Sequence, residues 1–368
     1  MKPSVPWSPA WGSVWPPFWR TSVMEREGAM LIRPAGTATA EAPLLFATDA
    51  VREVRMADGN TIFEEGRDYV LAPDRRAIRL TAESRIPWLE ESSLYPAKGR
   101  PHAMAHRRDA PEVHLLFSEG SFFHDQQVQV TYSHSETWTG APMAGVSPLL
   151  PKTRGRLAER QPLKVAVGGD SISAGFNASG KVGAAPWMPA YPEAFAAVLE
   201  SETGVPIRLV NRAVAGWNSE HGLNDLPALL ETAPDLVILA YGMNDVAQTP
   251  PELFRERMQT MIARVHAARP EAEIILVSPM LGNPLWVWTP AERFPVIRDI
   301  LASLTGPGVA LADLTQLWTD LLCRKRYLDL SGNGLNHPND FGHRLYAQVF
   351  LDLLIGARDT ELEYEMRA

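Results

Sequence analysis

A serine hydroxyl attacks a carbonyl only when something takes its proton, and histidine is the usual base for that near neutral pH. The chain places such a pair where chemistry could use it. Gly169-Asp170-Ser171 comes directly after the apolar run Val165-Ala166-Val167, and His337 stands far downstream in Asn336-His337-Pro338-Asn339-Asp340. A serine at the end of a strand, just before a turn containing Gly175, is where a doubly wound fold presents a reactive side chain. The triplet alone is weak evidence, because such turns arise by chance. Order adds to it. Asn211-Arg212-Ala213-Val214-Ala215-Gly216 comes next, then Gly242-Met243-Asn244-Asp245 after the apolar run Leu236 to Ala240, and the His-Pro-Asn-Asp segment closes the series. The chemistry within reach of this set is nucleophilic acyl transfer.

These four blocks in this order resemble the SGNH (GDSL-type) hydrolases, a family of esterases and acylhydrolases, over roughly residues 162 to 355. The resemblance implies roles. Ser171 matches the family's nucleophile and His337 its base. Gly216 and Asn244 match the groups that join the serine's own backbone amide in an oxyanion hole. No cofactor is implied. One position departs from the pattern. The family usually carries an aspartate three residues before the histidine, where it orients the imidazole, and here that position is Gly334. Asn333 and Asn336 are near, but neither carries the charge that stabilises an imidazolium. Asn333, Asn336 or a backbone carbonyl would have to orient His337, with Asn333 or a carbonyl favoured and the carbonyl making a Ser-His dyad. Asp340 reads as a helix cap opening the segment Phe341 to Leu354, and Asp329 is too remote in sequence to judge.

Other residues fit structural roles first. Asp170 and Asp245 read as turn residues that tie loops to backbone. His343 falls within the last helix and reads as packing. Trp187, Trp217, Trp286 and Trp288 lie in loops after strands, on the side where the site should be; they serve either local packing or stacking against a sugar ring. Arg212 adjoins the Gly216 block and either braces its loop or touches substrate. The remaining histidines lack metal-ligand spacing, so no metal is assigned.

The elements that must hold these residues divide the chain. Its 368 residues exceed a typical single domain, and 45% hydrophobic with 21% charged residues describes an ordinary globular protein. A net charge of −8 argues against nucleic acid as partner. The single cysteine, Cys323, excludes an internal disulfide framework. No apolar run is long enough to span a membrane and no signal peptide is evident, so a cytoplasmic location is expected, with export left open for a trimmed chain.

Residues 1–28 form a tryptophan- and proline-rich segment. Trp7, Trp11, Trp15 and Trp19 recur every four residues, yet Pro6, Pro9, Pro16 and Pro17 oppose a continuous helix. The expectation is an extended segment packed on the body of the protein or on a partner subunit, with an aromatic wall near a sugar site as the alternative. Residues 29–140 show short alternating runs separated by turn signals, Gln127 to Tyr132 most cleanly, and imply a small β-sandwich. A Gly- and Pro-punctuated linker is expected over 141–161. Residues 162–358 alternate buried-type apolar runs, at 164–167, 207–210, 235–240, 273–277 and 309–312, with helix-like stretches. That is the pattern of an α/β doubly wound parallel sheet with its site at the strands' carboxyl ends. Residues 359–368 form a polar tail.

The reading that follows is a two-domain serine esterase. An acetylated sugar is its first substrate and a general short-chain or aryl ester the runner-up, with a homo-oligomer left open. The alternative from another class is a carbohydrate-binding protein with an inactive hydrolase domain, motivated by the missing aspartate.

Overall fold

The computed structural model describes residues 7–141 and 145–356, so the polar tail expected at 359–368 lies outside the described residues. The carboxyl-terminal half is built on five parallel strands: β11 (Leu163–Gly169), β12 (Ile207–Asn211), β13 (Leu236–Ala240), β14 (Glu273–Ser278) and β15 (Val309–Asp313). Their order in the sheet is β12-β11-β13-β14-β15, and every neighbouring pair is parallel. The apolar runs mark these strands because helices cover the sheet: Val165, Ala166, Val237, Ile238 and Ile275 are all fully buried. Strand order reverses between β11 and β13, which is where a doubly wound sheet opens a crevice beyond its strand ends. Ser171 follows β11 and Asn244 follows β13, so the switch point gathers both.

The covering helices are α3 (Tyr191–Thr203), α4 (Ser219–Leu230), α5 (Pro251–Ala268), α6 (Arg293–Ser303), α7 (Leu314–Leu322) and α9 (Asp340–Leu354), with α3 packed on α9 and α5 between α4 and α6. Two single turns, α2 (Ser179–Val182) and α8 (Tyr327–Leu330), sit in the loops after β11 and α7. The stretch expected to be a linker instead contains helix α1 (Pro151–Ala158). Pro151 suits a first helical position. The free backbone N–H groups of Lys152 and Thr153 donate to the Glu273 carboxylate at 2.9 and 2.7 Å. A cap supplied by a distant strand leaves no trace in the local sequence.

Among the described residues the amino-terminal half holds ten strands: β1 (Val23–Arg33), β2 (Glu41–Pro43), β3 (Ala50–Met56), β4 (Ile62–Phe63), β5 (Tyr69–Leu71), β6 (Ala77–Leu80), β7 (Trp88–Glu90), β8 (Ala103–His106), β9 (His114–Leu116) and β10 (Gln127–Ser133). The expected sandwich of two separate sheets differs from what the hydrogen bonds give. Eight strands form one mostly antiparallel path, β4-β3-β10-β1-β2-β6-β5, with β7 parallel to the end of β1, while β8 and β9 pair apart. The physical reason is the length of β1. Its first part pairs with β10 and its last residues turn to β2 and β7, so one strand joins both halves. It begins at Val23, inside the segment expected to precede the strands.

The four tryptophans do not share a helix. Trp11 lies in a short 3₁₀ turn, and its indole N–H donates to the Pro186 carbonyl at 2.7 Å. Trp7, Trp15 and Trp19 pack against the core, so the segment lies on the body of the protein.

The two halves share one continuous apolar core, in which Val54 and Val130 join the same cluster as Val165 and Ile238. They are also fastened by polar contacts to the segment that leads to His337. Met30 N–H donates to Asp329 Oδ1 at 2.9 Å, and the Arg326 guanidinium donates to the Met30 carbonyl. Gln127 donates to the carbonyls of Leu328 and Ser331 at 2.9 and 2.8 Å, and its own carbonyl oxygen accepts from Asn339 at 3.0 Å. Gly28 is a glycine because of this closeness: a Cβ there would stand 2.6 Å from the Asp329 carbonyl. Deepest of all, Lys325 pairs with Glu27, and both side chains are fully buried. The clean alternation of β10 therefore does not leave its polar face wet, because residues 328–339 cover Gln127.

Candidate active site

The turn after β11 is set by Asp170. Its carboxylate accepts the Ile172 N–H at 2.9 Å, and the N–H groups of Ala174 and Phe176 return to the carbonyls of Asp170 and Ser171. Gly169 precedes it without a side chain because a Cβ would meet Ser173 Oγ at 2.4 Å. Burial pushes the Asp170 carboxyl up to about 7, with the charge of Asp245 adding to the rise and the Ile172 amide opposing it. This turn aims Ser171 Oγ at His337 Nε2, 2.9 Å away. Ser171 is 5% exposed and His337 4%. A hydroxyl donating to an unprotonated imidazole nitrogen at that distance can lose its proton as it attacks.

The histidine is held by a turn built around two side chains. Asn333 Oδ1 accepts the backbone N–H groups of Leu335, Asn336 and His337 at 2.9, 3.0 and 3.1 Å. Ser331 Oγ accepts from Gly334 N–H at 2.9 Å and donates to the His337 carbonyl at 3.2 Å. Phe176 meets the imidazole edge-on, with ring centres 5.4 Å apart. His343 stays within the last helix, buried and donating its Nε2–H to the Phe176 carbonyl; burial lowers it to about 4, so it is neutral near pH 7.

Three side chains meet the other imidazole nitrogen, Nδ1: Asn177 Oδ1 at 2.8 Å, Asn333 Nδ2 at 3.0 Å and Glu119 Oε2 at 3.2 Å. The amide orientations follow from their other bonds. Asn177 Nδ2 already donates to the carbonyls of Glu119 and Gly332, so its oxygen faces Nδ1. Asn333 spends its oxygen on the turn, so its nitrogen faces the ring and cannot accept a proton from Nδ1. Asn333 was one expected orienter. It sits beside the ring, but as the buttress of the turn and as a donor to Glu119 Oε1 and Asn336 Oδ1. Asn177 and Glu119 escaped the sequence reading. Asn177 is an ordinary residue six positions after Ser171, and Glu119 belongs to the connection between β9 and β10. Neither carries a local signal.

Gly216 and Asn244 approach from the neighbouring loops. The Val214 N–H donates to the Gly169 carbonyl at 3.2 Å, which draws the Gly216 loop to the end of β11. Gly216 has φ +80°, a left-handed conformation that glycine adopts without strain. Asn244 Nδ2 donates to the Trp217 carbonyl at 2.8 Å, joining the two loops. Asp245 is structural, accepting from Ser219 N–H, Ser219 Oγ and Thr249 Oγ1. Backbone N–H groups and a side-chain amide are the kinds of donor that receive developing negative charge on oxygen.

The outer candidates separate. Arg212 is committed to Asp225 through two bonds of 2.8 and 2.6 Å, which makes it the brace of its loop. Trp217 stacks on His221 and packs against the core. Trp286 packs with Leu115 and Leu335, beside the histidine loop. Trp187 and Trp288 stand out at 59% and 49% exposed. Among the described residues no group of His, Cys, Asp or Glu could hold a metal ion, and no helix is long and apolar enough to cross a membrane.

Comparison with known proteins gives the following. No curated protein matches the chain. Among solved structures it is similar to LAE5, an alpha/beta hydrolase enzyme from the metagenome of Lake Arreo, Spain, at 22% identity and a TM-score of 0.43, covering 51% of this chain and 93% of that one. It is similar to Axe2, an acetylxylan esterase from Geobacillus stearothermophilus, at 19% identity and a TM-score of 0.42, covering 51% and 92%. A two-domain esterase (CEX) active on acetylated mannans shares 21% identity at a TM-score of 0.44, with 56% of this chain and 53% of that one covered. Residues 167–345, which run from the end of β11 into α9, match the family model of the GDSL-like lipases and acylhydrolases, so the chain carries a domain of that family and is a carboxylic ester hydrolase.

Proposed function

We propose that the chain is a serine esterase that removes short acyl groups, acetyl first among them, from a carbohydrate. The observation that carries the reading is the 2.9 Å contact between Ser171 Oγ and His337 Nε2 at the switch point of the sheet. Ser171 Oγ attacks the ester carbonyl as its proton passes to Nε2. The tetrahedral oxyanion takes hydrogen bonds from the backbone N–H groups of Ser171 and Gly216 and from the Asn244 amide, each donor worth roughly 3–4 kcal/mol in comparable sites. His337 returns the proton to the departing alcohol. Water, deprotonated by the same histidine, then releases the acid.

Two features support the substrate. Ser171 and His337 are both nearly buried, which favours a small acyl group. Trp187 and Trp288 expose wide aromatic faces of the kind on which sugar rings stack. The inactive-domain alternative rested on the glycine at 334, and the carboxylate and amide around Nδ1 remove that motive. In domain terms, we place the boundary between the β region and the hydrolase domain near α1.

The test is acetate release from a panel of acetylated oligosaccharides, beside p-nitrophenyl esters from acetyl to octanoyl. The expected result is acetate from at least one sugar, with kcat/KM falling steeply as the acyl chain lengthens. Ser171→Ala should lose on the order of 10³-fold or more in kcat while keeping its melting temperature. A folded Ser171→Ala protein with most of its activity overturns the reading, and a preference for octanoyl esters overturns the substrate.

A further inference from the structure

Gly334 holds the position where similar hydrolases carry the aspartate that orients the histidine. In this chain that position is closed. Gly334 has φ +86°, and a Cβ there would stand 2.4 Å from the Leu116 carbonyl and 2.6 Å from Phe123 Cζ. Leu116 ends β9 and Phe123 lies just before β10, so the amino-terminal half fills the space an aspartate would need. The same connection, three residues past Leu116, brings Glu119 to 3.2 Å from His337 Nδ1.

The geometry points to Glu119 as the positioning carboxylate of the catalytic histidine, with Asn177 as acceptor of the Nδ1 proton, so that the amino-terminal half of the chain completes the catalytic group of the hydrolase domain. This rests on the reading that Ser171 and His337 carry out the chemistry. The division of labour follows from the bonds. Asn177 Oδ1 is the nearer oxygen at 2.8 Å, and its nitrogen is tied to two carbonyls, which fixes the acceptor toward the ring. Glu119 Oε1 accepts from Asn333 Nδ2, which steadies the carboxylate, while Oε2 faces the imidazole. Ser118 N–H donates to the Asn333 carbonyl at 3.2 Å and anchors the backbone one residue earlier.

In the attacking step the Ser171 O–H bond breaks, Oγ bonds to the carbonyl carbon, and the proton moves to Nε2. The resulting imidazolium keeps its Nδ1 proton on Asn177, and Glu119 balances its charge. Burial works against the Glu119 charge, but the hydrogen bond and charge of His337 and the Asn333 amide hold its carboxyl below the usual value, so it is ionised near neutral pH. The other groups facing the imidazole are Ser171, Phe176 with Lys181 over its outer face, and the neutral His343.

The test compares wild type with Glu119→Gln, Glu119→Asp and Asn177→Ala on p-nitrophenyl acetate from about pH 5 to 9. Glu119→Gln keeps the shape and removes the charge. Its kcat should fall about ten- to a hundredfold with KM within about twofold. The acid limb of kcat/KM should move roughly one unit to lower pH, since an imidazolium without its counter-charge gives up its proton more readily. Glu119→Asp should hold the acid limb near the wild-type position, and Asn177→Ala should lower kcat without that shift. A Glu119→Gln protein with wild-type kcat and an unmoved acid limb overturns the inference while leaving the serine esterase intact. A fall in kcat with an unmoved acid limb in Glu119→Gln also overturns it, because that is what loss of loop structure alone would do. A wild-type protein without esterase activity overturns the Ser171–His337 reading and this inference with it.

Discussion

Replacing Gly334 by alanine is the sharpest probe of how the two halves meet. The residue has φ +86°, where a side chain is strained by about 1–2 kcal/mol. The added carbon would also stand 2.4 Å from the Leu116 carbonyl and 2.6 Å from a ring that is fully buried. Neither neighbour can swing away: one is the backbone of a paired strand, the other a packed phenylalanine. Overpacking of this kind adds about 1–3 kcal/mol. The sum, about 2–5 kcal/mol, is a large part of the 5–15 kcal/mol that holds typical domains folded. The midpoint of thermal unfolding followed by circular dichroism should therefore drop by roughly 3–7 °C. Gly334→Asp should fall at least as far and should not raise activity, although it restores the residue that similar hydrolases carry there. Removing one obstacle should recover part of the loss: Gly334→Ala with Phe123→Ala should be less destabilised than the two single changes add up to. A Gly334→Asp protein as stable as wild type, and faster, would refute the steric account.

Two further outcomes are expected. Lys325→Met leaves the fully buried Glu27 without its counter-charge, and urea unfolding should show a loss of about 3–5 kcal/mol, much of it recovered when Glu27 is also made apolar; a loss below about 1 kcal/mol would contradict the buried pairing. Asp170 keeps its proton up to about pH 7 in the folded chain, against an ordinary value of 3.8, so its contribution is complete below about pH 4 and is lost as pH rises through about 7. Asp170→Asn should consequently gain on wild type in urea midpoint between about pH 5 and pH 8, and a difference that does not change with pH would show that burial does not raise this carboxyl.

What could be read from the sequence followed the range of the forces involved. The five apolar runs became the five parallel strands because a sheet covered on both faces needs continuous apolar residues, and that need is local. Ser171 stood out because it follows such a strand, and His337 because its His-Pro-Asn-Asp segment runs into the last helix. Helix α1 stayed hidden because Glu273 caps it from another strand. The group around Nδ1 was illegible for the same reason on a larger scale. Asn333 looked eligible by position, yet three backbone N–H groups claim its oxygen, and the carboxylate that faces the ring arrives from the other half of the chain. No pattern within a few residues of His337 could announce it.

The fastening of β1 to the histidine loop also sets a timetable. Met30 and its partner Asp329 are 299 residues apart. At ribosomal rates of about 5–20 residues per second, the first strands wait roughly 15–60 s for the segment that closes over them. Through that interval Glu27 has no lysine and Gln127 lacks the carbonyls of Leu328 and Ser331, so the face they occupy is without the segment that covers it. Synthesis from the amino terminus thus makes the halves in one order and seals them in the other: the esterase site becomes whole only when residues 325–339 have left the ribosome and settled on strands made long before.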